Sequence, residues 1–194
     1  MPRTPKVSER AVAELIAQLG RTAHGEGCVD GLTPVRWTAL RYFSRANRFS
    51  RTVSAFAEFH ATTRGAVSQT VKSLVRNGYL TRERSDQDRR SVRLDLTEKS
   101  VALMSHDPFE GLVIAAAELS NTARRAISRG LEQMLRALAE RHGKQAFGMC
   151  PSCKYFRTGG CLASNAPDYR CALLGEPLTQ AEIDKLCVSF LPAV

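Results

Sequence analysis

The fold is decided by residues 52–93, which read TVSAFAEFHATTRGAVSQTVKSLVRNGYLTRERSDQDRRSVR. Residues 64–77 are predicted to form a helix with one buried stripe, because apolar side chains recur there at helical spacing. The stripe consists of Val67, Val71, Leu74 and Val75. Thr63 is expected to cap the start of this helix with its hydroxyl, and Gly78 to follow its end in the left-handed conformation.

The elements around this helix complete a recognisable pattern. Residues 52–59 form a shorter predicted helix, and His60 lies in the turn between the two. After the second helix, residues 79–84 and 91–96 read as two strands around a polar tip. This order predicts a winged helix-turn-helix, in which the second helix enters the major groove of DNA.

The polar face of the second helix supplies the candidate DNA-binding residues. They are Thr63, Arg64, Gly65, Ser68, Gln69 and Lys72. Glutamine favours adenine and arginine favours guanine through paired hydrogen bonds. The face therefore indicates contact with bases or phosphates, and the pattern leaves open which residues touch bases.

The segment VSQTVKSLVRNGYLTRERSDQDRRSVRLDLTEKS, residues 67–100, resembles the MarR family of dimeric transcription regulators. The matching features are the wing tip at 86–90 and the Leu-Thr-Glu-Lys entry to the next helix at 96–99, and the resemblance covers roughly residues 8–143. It implies a homodimer that binds double-stranded DNA at a pseudo-palindromic operator, with repression as the commoner mode. It also implies that Arg89 or Arg90 reaches the adjacent minor groove and that Asp88 orients that arginine.

Helices are also predicted on both sides of the winged region. Residues 7–19 are predicted to form an amphipathic helix ended by Gly20, and a further helix is predicted to start at Thr33-Pro34. The chain is expected to be helical again from Thr97, with the helix broken at Asp107-Pro108. The apolar spacing across 109–142 resembles the family's long dimerisation helices. We expect a mainly α fold with a small β wing (α+β). Its predicted parts are an N-terminal dimerisation helix and loop (1–32), the winged helix-turn-helix (33–97), dimerisation helices (98–145) and a Cys-rich module (146–194).

Composition narrows the class of protein. The chain has 194 residues, a net charge of +9 and a pI near 9.6, which favours a polyanionic partner. No signal peptide is visible and no apolar run approaches the ~20 residues that span a bilayer, so a cytoplasmic protein without membrane contact is expected. No paired carboxylates, Ser–His–Asp set or Gly-rich phosphate loop stands out, so the sequence does not predict an enzyme.

The second informative stretch is residues 148–194, GMCPSCKYFRTGGCLASNAPDYRCALLGEPLTQAEIDKLCVSFLPAV. It holds five of the six cysteines: Cys150, Cys153, Cys161, Cys171 and Cys187. In the cytoplasm such a cluster indicates metal ligands or redox groups before disulfides, and the first two cysteines have the two-residue gap that chelates one centre. Cys28, alone in an earlier loop, has no predicted role.

Zinc and an iron–sulfur cluster compete for these cysteines. A single CxxC pair without histidine is unusual for zinc, and the remaining cysteines stand beside apolar residues that suit a cluster. The arrangement CxxCxxF, C-x-L-x-G-x-P-L and C-x-x-F resembles the high-potential iron–sulfur proteins. That resemblance implies a [4Fe-4S] cluster on Cys150, Cys153, Cys171 and Cys187, with Cys161 as a spare or alternative ligand. Structural zinc and free, reversibly oxidised thiols remain open alternatives.

A capping box, Thr179-x-x-Glu182, predicts a short helix at 180–186 that delivers Cys187. The hypothesis that follows is a regulator whose cluster senses redox state, oxygen, NO or iron, and whose loss shifts the dimer between half-site spacings. The alternative is a regulator that responds to a small molecule and uses zinc only to hold its tail.

Overall fold

The computed structural model describes residues 7–23, 28–84, 92–144, 146–159 and 169–193. Within these ranges the chain forms eight α-helices and five strands. The helices are α1 (Glu9–Ala23), α2 (Pro34–Arg45), α3 (Val53–Phe59), α4 (Arg64–Arg76), α5 (Glu98–Leu103), α6 (Glu110–Ala117), α7 (Asn121–Arg141) and α8 (Gln180–Ile183). The strands are β1 (Leu80–Arg84), β2 (Val92–Leu96), β3 (Phe156–Thr158), β4 (Tyr169–Cys171) and β5 (Glu176–Leu178).

Helices α2, α3 and α4 and the β1–β2 hairpin enclose the main core. The two strands are antiparallel, with Leu80 opposite Leu96, and the backbone of Arg51 extends them because its carbonyl accepts a hydrogen bond from the N–H of Leu94 at 2.8 Å. The largest side chains in the core are Trp37, Leu40, Tyr42, Phe43, Phe56, Leu74, Leu80 and Leu94. This order of elements is the winged helix-turn-helix that the sequence predicts.

The ends of α4 are fixed by the residues expected to fix them. The hydroxyl of Thr63 accepts a hydrogen bond from the N–H of Ala66 at 3.2 Å, and Gly78 has a φ of 72°. The N–H of Gly78 donates to the carbonyl of Val75, and the N–H of Tyr79 donates to the carbonyl of Leu74. These two bonds form a Schellman motif, which is why β1 begins at Leu80, one residue later than predicted.

Helices α1, α6 and α7 each present two or more large apolar side chains to solvent. Helix α1 runs on to Ala23, so the prediction that Gly20 ends it was wrong; a Cβ at Gly20 would meet nothing within 4 Å. Residues 109–142 form α6 and α7, which separate at Ser120, the N-cap of α7. Exposed apolar side chains on the three helices are Val12, Leu15, Leu19, Val113, Ile114, Ile127, Leu131, Met134, Leu135 and Leu138.

The C-terminal segment packs on the winged helix-turn-helix. It contains the antiparallel sheet β3–β4–β5 and α8, which has the predicted capping box. Helix α8 ends at Ile183, so the prediction of a helix to residue 186 was wrong. The reason is that Leu186 pairs with the end of α2: its N–H donates to the carbonyl of Arg45 at 2.8 Å, and its carbonyl accepts from the N–H of Asn47 at 2.9 Å.

None of the helices in the described ranges is both long and apolar enough to cross a membrane.

Candidate nucleic-acid interface and cysteine cavity

Helix α4 places the predicted DNA-binding face in solvent. Val67, Val71 and Leu74 are buried on one side, and most of the predicted contact residues lie on the other. Those exposed are Thr63, Arg64, Gly65, Gln69 and Lys72, whereas Ser68 is half-buried. The helix is therefore held by its apolar stripe while donors and cations face outward, as a recognition helix requires.

The turn that leads into α4 has a fixed geometry. Ala61 takes a φ of 51°, and the N–H of Thr62 donates to the carbonyl of Ala57 at 3.0 Å. The guanidinium of Arg36 in α2 donates to the hydroxyl of Ser73 in α4 at 3.0 Å and so joins the two helices. These contacts fix the turn before α4 and attach α4 to α2.

The strands of the wing are braced by an ion network. The guanidinium of Arg93 donates to Glu83 at 2.6 Å and to Asp95 at 2.9 Å, and the hydrogen bond to Asp95 helps to raise the pKa of Arg93. Asp95 also pairs with Arg51. The tip with Asp88, Arg89 and Arg90 lies outside the described residues, so the minor-groove arginine stays a prediction.

Four cysteines line one cavity at the C-terminal end of the chain. Cys150, Cys153, Cys171 and Cys187, the four predicted ligands, border a space that is partly open to solvent. The remaining walls are formed by Asn47, Phe49, Tyr155, Phe156, Leu174, Leu178 and Ser189. Cys161 lies outside the described residues, and Cys28 is exposed in its loop. The structure thus brings Cys171 and Cys187 to the CxxC pair, from which they are 18 or more residues away in sequence.

Local backbone structure brings the cysteines to this place. The N–H of Cys153 donates to the carbonyl of Cys150 at 2.8 Å, which curls the CxxC pair into one 3₁₀ turn. Cys171 ends β4 opposite Phe156 of β3. Cys187 pairs with Gly148, whose carbonyl accepts its N–H at 2.9 Å.

Gly148 is needed because of a close contact with an aromatic ring. A Cβ at this position would lie 2.6 Å from three ring carbons of Phe190, closer than real Cβ atoms approach. The ring of Phe190, which is buried, therefore packs directly against the backbone that carries the cysteine pair. The phenylalanine of the C-x-x-F pattern has this structural role.

The thiols interact electrostatically with one another. Burial, together with the smaller effects of the charges on Cys187, Cys153 and Cys171, raises the pKa of Cys150 to about 11. A thiol in such a place holds its proton unless a cation replaces it, since thiolate is the form that binds metals. The arrangement is chemically suited to a positively charged group with several thiolate ligands.

The described residues do not form a site for a single metal ion. Across the ranges that the structure describes, no three His, Cys, Asp or Glu side chains converge closely enough to hold one. The four sulfurs border a space instead of meeting at a point. That geometry matters for the choice between zinc and a cluster.

The loop between α2 and α3 forms one wall of the cavity, and the sequence did not predict this contact. Asn47 and Phe49 line the cavity, and Arg48 between them bonds Glu182 of α8. The guanidinium of Arg48 lies 2.5 and 2.6 Å from the two carboxylate oxygens and also donates to the carbonyl of Pro177 at 2.6 Å. No motif in the sequence of this loop signals these contacts.

Glu182 is held in its ionised form. Burial alone would raise the pKa of its carboxyl, but the backbone N–H of Thr179 and the guanidinium of Arg48 lower it below the ordinary value. The carboxylate therefore joins the capping box of α8 to the loop that forms the cavity wall.

Comparison with known proteins identifies the fold. Residues 30–91 match the model of the MarR family. A MarR transcriptional regulator from Methanosarcina mazei Go1 is similar in structure with a TM-score of 0.55 and 24% identity, over 68% of this chain and 99% of the other. No curated protein matches the chain.

Two further structures are complexes with DNA. MepR of S. aureus, bound to DNA, has a TM-score of 0.55 and 18% identity, over 68% of this chain and 96% of the other. FabT of Streptococcus pneumoniae, in complex with DNA, has a TM-score of 0.53 and 21% identity, over 69% of this chain and 99% of the other. At these identities the likeness establishes the fold.

Proposed function

We propose that this chain, which has the MarR-type winged-helix fold, is a homodimeric transcription regulator whose DNA binding is controlled by an iron–sulfur cluster in its cysteine cavity. The default mode is repression, and the signal is a change in redox state, oxygen, NO or iron. The observation that carries the cluster part of the proposal is that four cysteines, spread over residues 150–187, line one cavity.

Helix α4 supports the DNA-binding part. Its outer face exposes Arg64, Gln69 and Lys72 while three apolar residues anchor it, and the chain carries a net charge of +9. Two similar structures, MepR and FabT, contain DNA. Major-groove entry by α4 with the wing beside it is the docking that this fold permits.

The exposed apolar faces of α1, α6 and α7 support a homodimer. Leu135 is 64% exposed and Ile114 is 58% exposed, and stripes of this kind on helices that flank a core are suited to association with a second copy. A two-fold dimer places two α4 helices on one side of the duplex. The operator is therefore expected to be an inverted repeat with half-sites about one helical turn apart.

The donor set of the cavity suits a cluster better than zinc. A zinc ion needs four sulfurs that converge on one point at about 2.3 Å each. In an iron–sulfur cluster each thiolate binds its own iron, so the sulfurs stand farther apart around a larger volume. In the described ranges the four thiols line one cavity and no three of these side chains converge on a single ion, which suits the second arrangement, with [4Fe-4S] as the expected type.

When bound, such a cluster supplies a redox centre that reacts with oxygen or NO. The protein's own groups bind it through four thiols and limit the access of water. Phe49, Tyr155, Phe156 and Leu178 provide the apolar part of the wall. An apolar wall with few hydrogen-bond donors is a means of setting the potential of a cluster.

Metal analysis of protein purified without oxygen tests the cluster. We expect a brown protein with about four irons and four sulfides per chain, in line with a four-cysteine site. Cys187→Ser is expected to lose most of the iron, and Cys28→Ser, which changes the exposed loop cysteine, to keep it. One zinc per chain, or no metal, would refute the cluster. Regulation by a small molecule would then be the remaining hypothesis.

Selection of bound duplexes from a random-sequence pool tests DNA binding. We expect an inverted repeat. Lys72→Ala is expected to weaken binding and to reduce the slope of log affinity against log salt by about 1, as for one lost phosphate contact. Lys144→Ala, which removes the same charge beyond the end of α7, is the control and should leave the slope unchanged. Failure to enrich any sequence would contradict this part of the proposal.

A further inference from the structure

The loop between α2 and α3, residues 46–51, contacts the cysteine cavity as well as α3 and the β1–β2 wing. We infer that this loop carries the state of the cavity to α3 and the wing within one chain. The inference rests on the proposed function, since it assumes that the cavity holds a group whose loss is felt by the DNA-binding region. In this inference, loss of the bound group acts on the DNA-binding region through direct contacts within one chain. It does not act through the dimer interface and a change in half-site spacing.

The first contact is between the loop and the cavity itself. Asn47 and Phe49 form part of its wall, together with Cys150 and Cys153 of the CxxC pair. Both residues therefore border the space that a bound group would fill. Emptying that space removes their packing partner, and a wall without atoms on one side loses its contacts there.

The second contact is a hydrogen-bond chain that begins beside a cysteine. The N–H of Val188, the residue after Cys187, donates to the hydroxyl of Ser50 at 2.9 Å. That hydroxyl donates in turn to the side-chain oxygen of Asn47 at 2.8 Å. Asn47 and Ser50 are buried, so each bond is made where water cannot replace it.

The same serine leads directly into α3. Its carbonyl accepts a hydrogen bond from the N–H of Thr52 at 2.8 Å and another from the hydroxyl of Tyr42 at 2.7 Å. Thr52 is the N-cap of α3, because its hydroxyl accepts from the N–H of Ala55 at 3.1 Å. A displacement of Ser50 therefore reaches the start of the helix that supports α4.

The neighbouring residue, Arg51, leads into the wing. Its carbonyl accepts the N–H of Leu94 in β2 at 2.8 Å, and its guanidinium pairs with Asp95 of the same strand. Its Nε donates back to the carbonyl of Ala46 at 3.0 Å. The loop is thus bonded at once to the start of α3, to the wing and to the C-terminal segment.

The alternative route runs through α1, α6 and α7. None of these helices has a residue among those that line the cavity. Tyr42 of α2 instead connects the cysteine segment to α3. The centre of its ring lies 4.9 Å from that of Phe59 in α3 and 6.4 Å from that of Phe147, the residue before Gly148. This packing also joins the cysteine segment to α3 and supports the route within the chain.

Affinity measurements on serine variants test the route. The probe is the duplex obtained by selection, titrated with cluster-loaded and cluster-free protein of the full chain. For the unchanged protein we expect the two affinities to differ by at least about 5-fold, the low end of allosteric couplings. Ser50→Ala removes the hydroxyl that bonds both Val188 and Asn47, and the difference should fall below about 2-fold on the same scale.

Ser44→Ala is the matched control. The Ser44 hydroxyl donates to the carbonyl of Arg41 within α2 at 2.8 Å and takes no part in the loop. This variant should keep the full difference. If Ser50→Ala loads iron like the unchanged protein and keeps the full difference too, the route is refuted while the proposed function stands. If the unchanged protein shows no difference, control by the cavity fails and the route fails with it.

Hydrogen exchange on the unchanged protein covers the case in which Ser50→Ala does not fold or load. On removal of the cluster, the amides of Val188, Leu94 and Ala55 are expected to exchange faster, since each is bonded to the loop or to the N-cap that follows it. The amide of Ala123, bonded to Ser120 at the start of α7, is the reference and should change little. Faster exchange confined to α1 and α7 would overturn the inference in favour of the dimer route.

Discussion

Replacing Arg48 with methionine is expected to release the C-terminal segment from the winged helix-turn-helix. The guanidinium bonds both carboxylate oxygens of Glu182, lies 3.5 Å from Glu176 and donates to the carbonyl of Pro177. It also lies 4.4 Å from the ring centre of Phe49. Methionine keeps the aliphatic stem and removes all the polar contacts.

The structure sets the size of the effect. A hydrogen bond to a charged group contributes about 1.5–3 kcal/mol, and a neutral one about 1 kcal/mol. The Arg48 side chain is 30% exposed, so solvent screening places the carboxylate pair near the low end. Stacking on Phe49 adds about 0.5–1 kcal/mol. Together the contacts are worth about 3 kcal/mol, which is roughly a 100-fold change in a local opening equilibrium.

Hydrogen exchange measures that opening directly. The amide of Leu186 is bonded to the carbonyl of Arg45, and the amide of Asn47 to the carbonyl of Leu186. Both should lose about 100-fold in protection in Arg48→Met, or all of their protection if local stability is smaller. The amide of Val71, in the buried stripe of α4, is the internal reference and should keep its protection.

Arg45→Met is the matched control, because the Arg45 side chain is exposed at the end of α2 and its backbone carbonyl survives the change. Equal protection of Leu186 in Arg48→Met and the unchanged protein would show that the ion pair does not hold the segment. An equal loss at Val71 would show global destabilisation instead of local release.

Three further changes test the dimer, the cavity and the ion pair. Leu135→Glu should give monomers in analytical ultracentrifugation. Val101→Glu, at a similarly exposed position of α5, should leave the dimer intact. Dimers in both variants would refute the proposed interface. Gly148→Ala forces a Cβ against a phenylalanine ring, so it should destabilise the cavity by about 1–3 kcal/mol and lower iron content, while Gly130→Ala, in open space on α7, should not. Since hydrogen bonds lower the pKa of Glu182, its ionised carboxylate stabilises the fold. Glu182→Gln should therefore lower the free energy of unfolding at pH 7 in denaturant titrations. This loss should shrink as the pH falls below about 4.3 and vanish below the lowered pKa. A cost that is independent of pH would contradict the ion pair.

The winged helix-turn-helix could be predicted because its signals are local. The buried stripe of α4, the Thr63 cap and the Gly78 terminator act within one or two turns, and the structure has all three. Ends that depend on more distant contacts were predicted less well. Gly20 has open space around it, so α1 continues, and α8 stops at Ile183 because the next residues pair with the end of α2.

The cavity was only half predictable. Cysteine spacing and the resemblance to iron–sulfur proteins selected the four thiols that the structure brings together. The wall formed by Asn47 and Phe49 had no such signal, because it depends on contacts across more than 100 residues, such as Arg48 with Glu182 and Ser50 with Val188. Those contacts follow from tertiary packing, which a single sequence does not encode in any short pattern.

In the proposed function, the state of the cysteine cavity sets the affinity of the protein for DNA. The most direct measurement is a titration of the selected duplex with one preparation in three states: loaded, stripped of iron, and reconstituted with iron and sulfide. We expect the dissociation constant to change by at least about 5-fold when the iron is removed, and to return to its first value on reconstitution. Equal affinity in all three states, with the iron content verified in each, would contradict it.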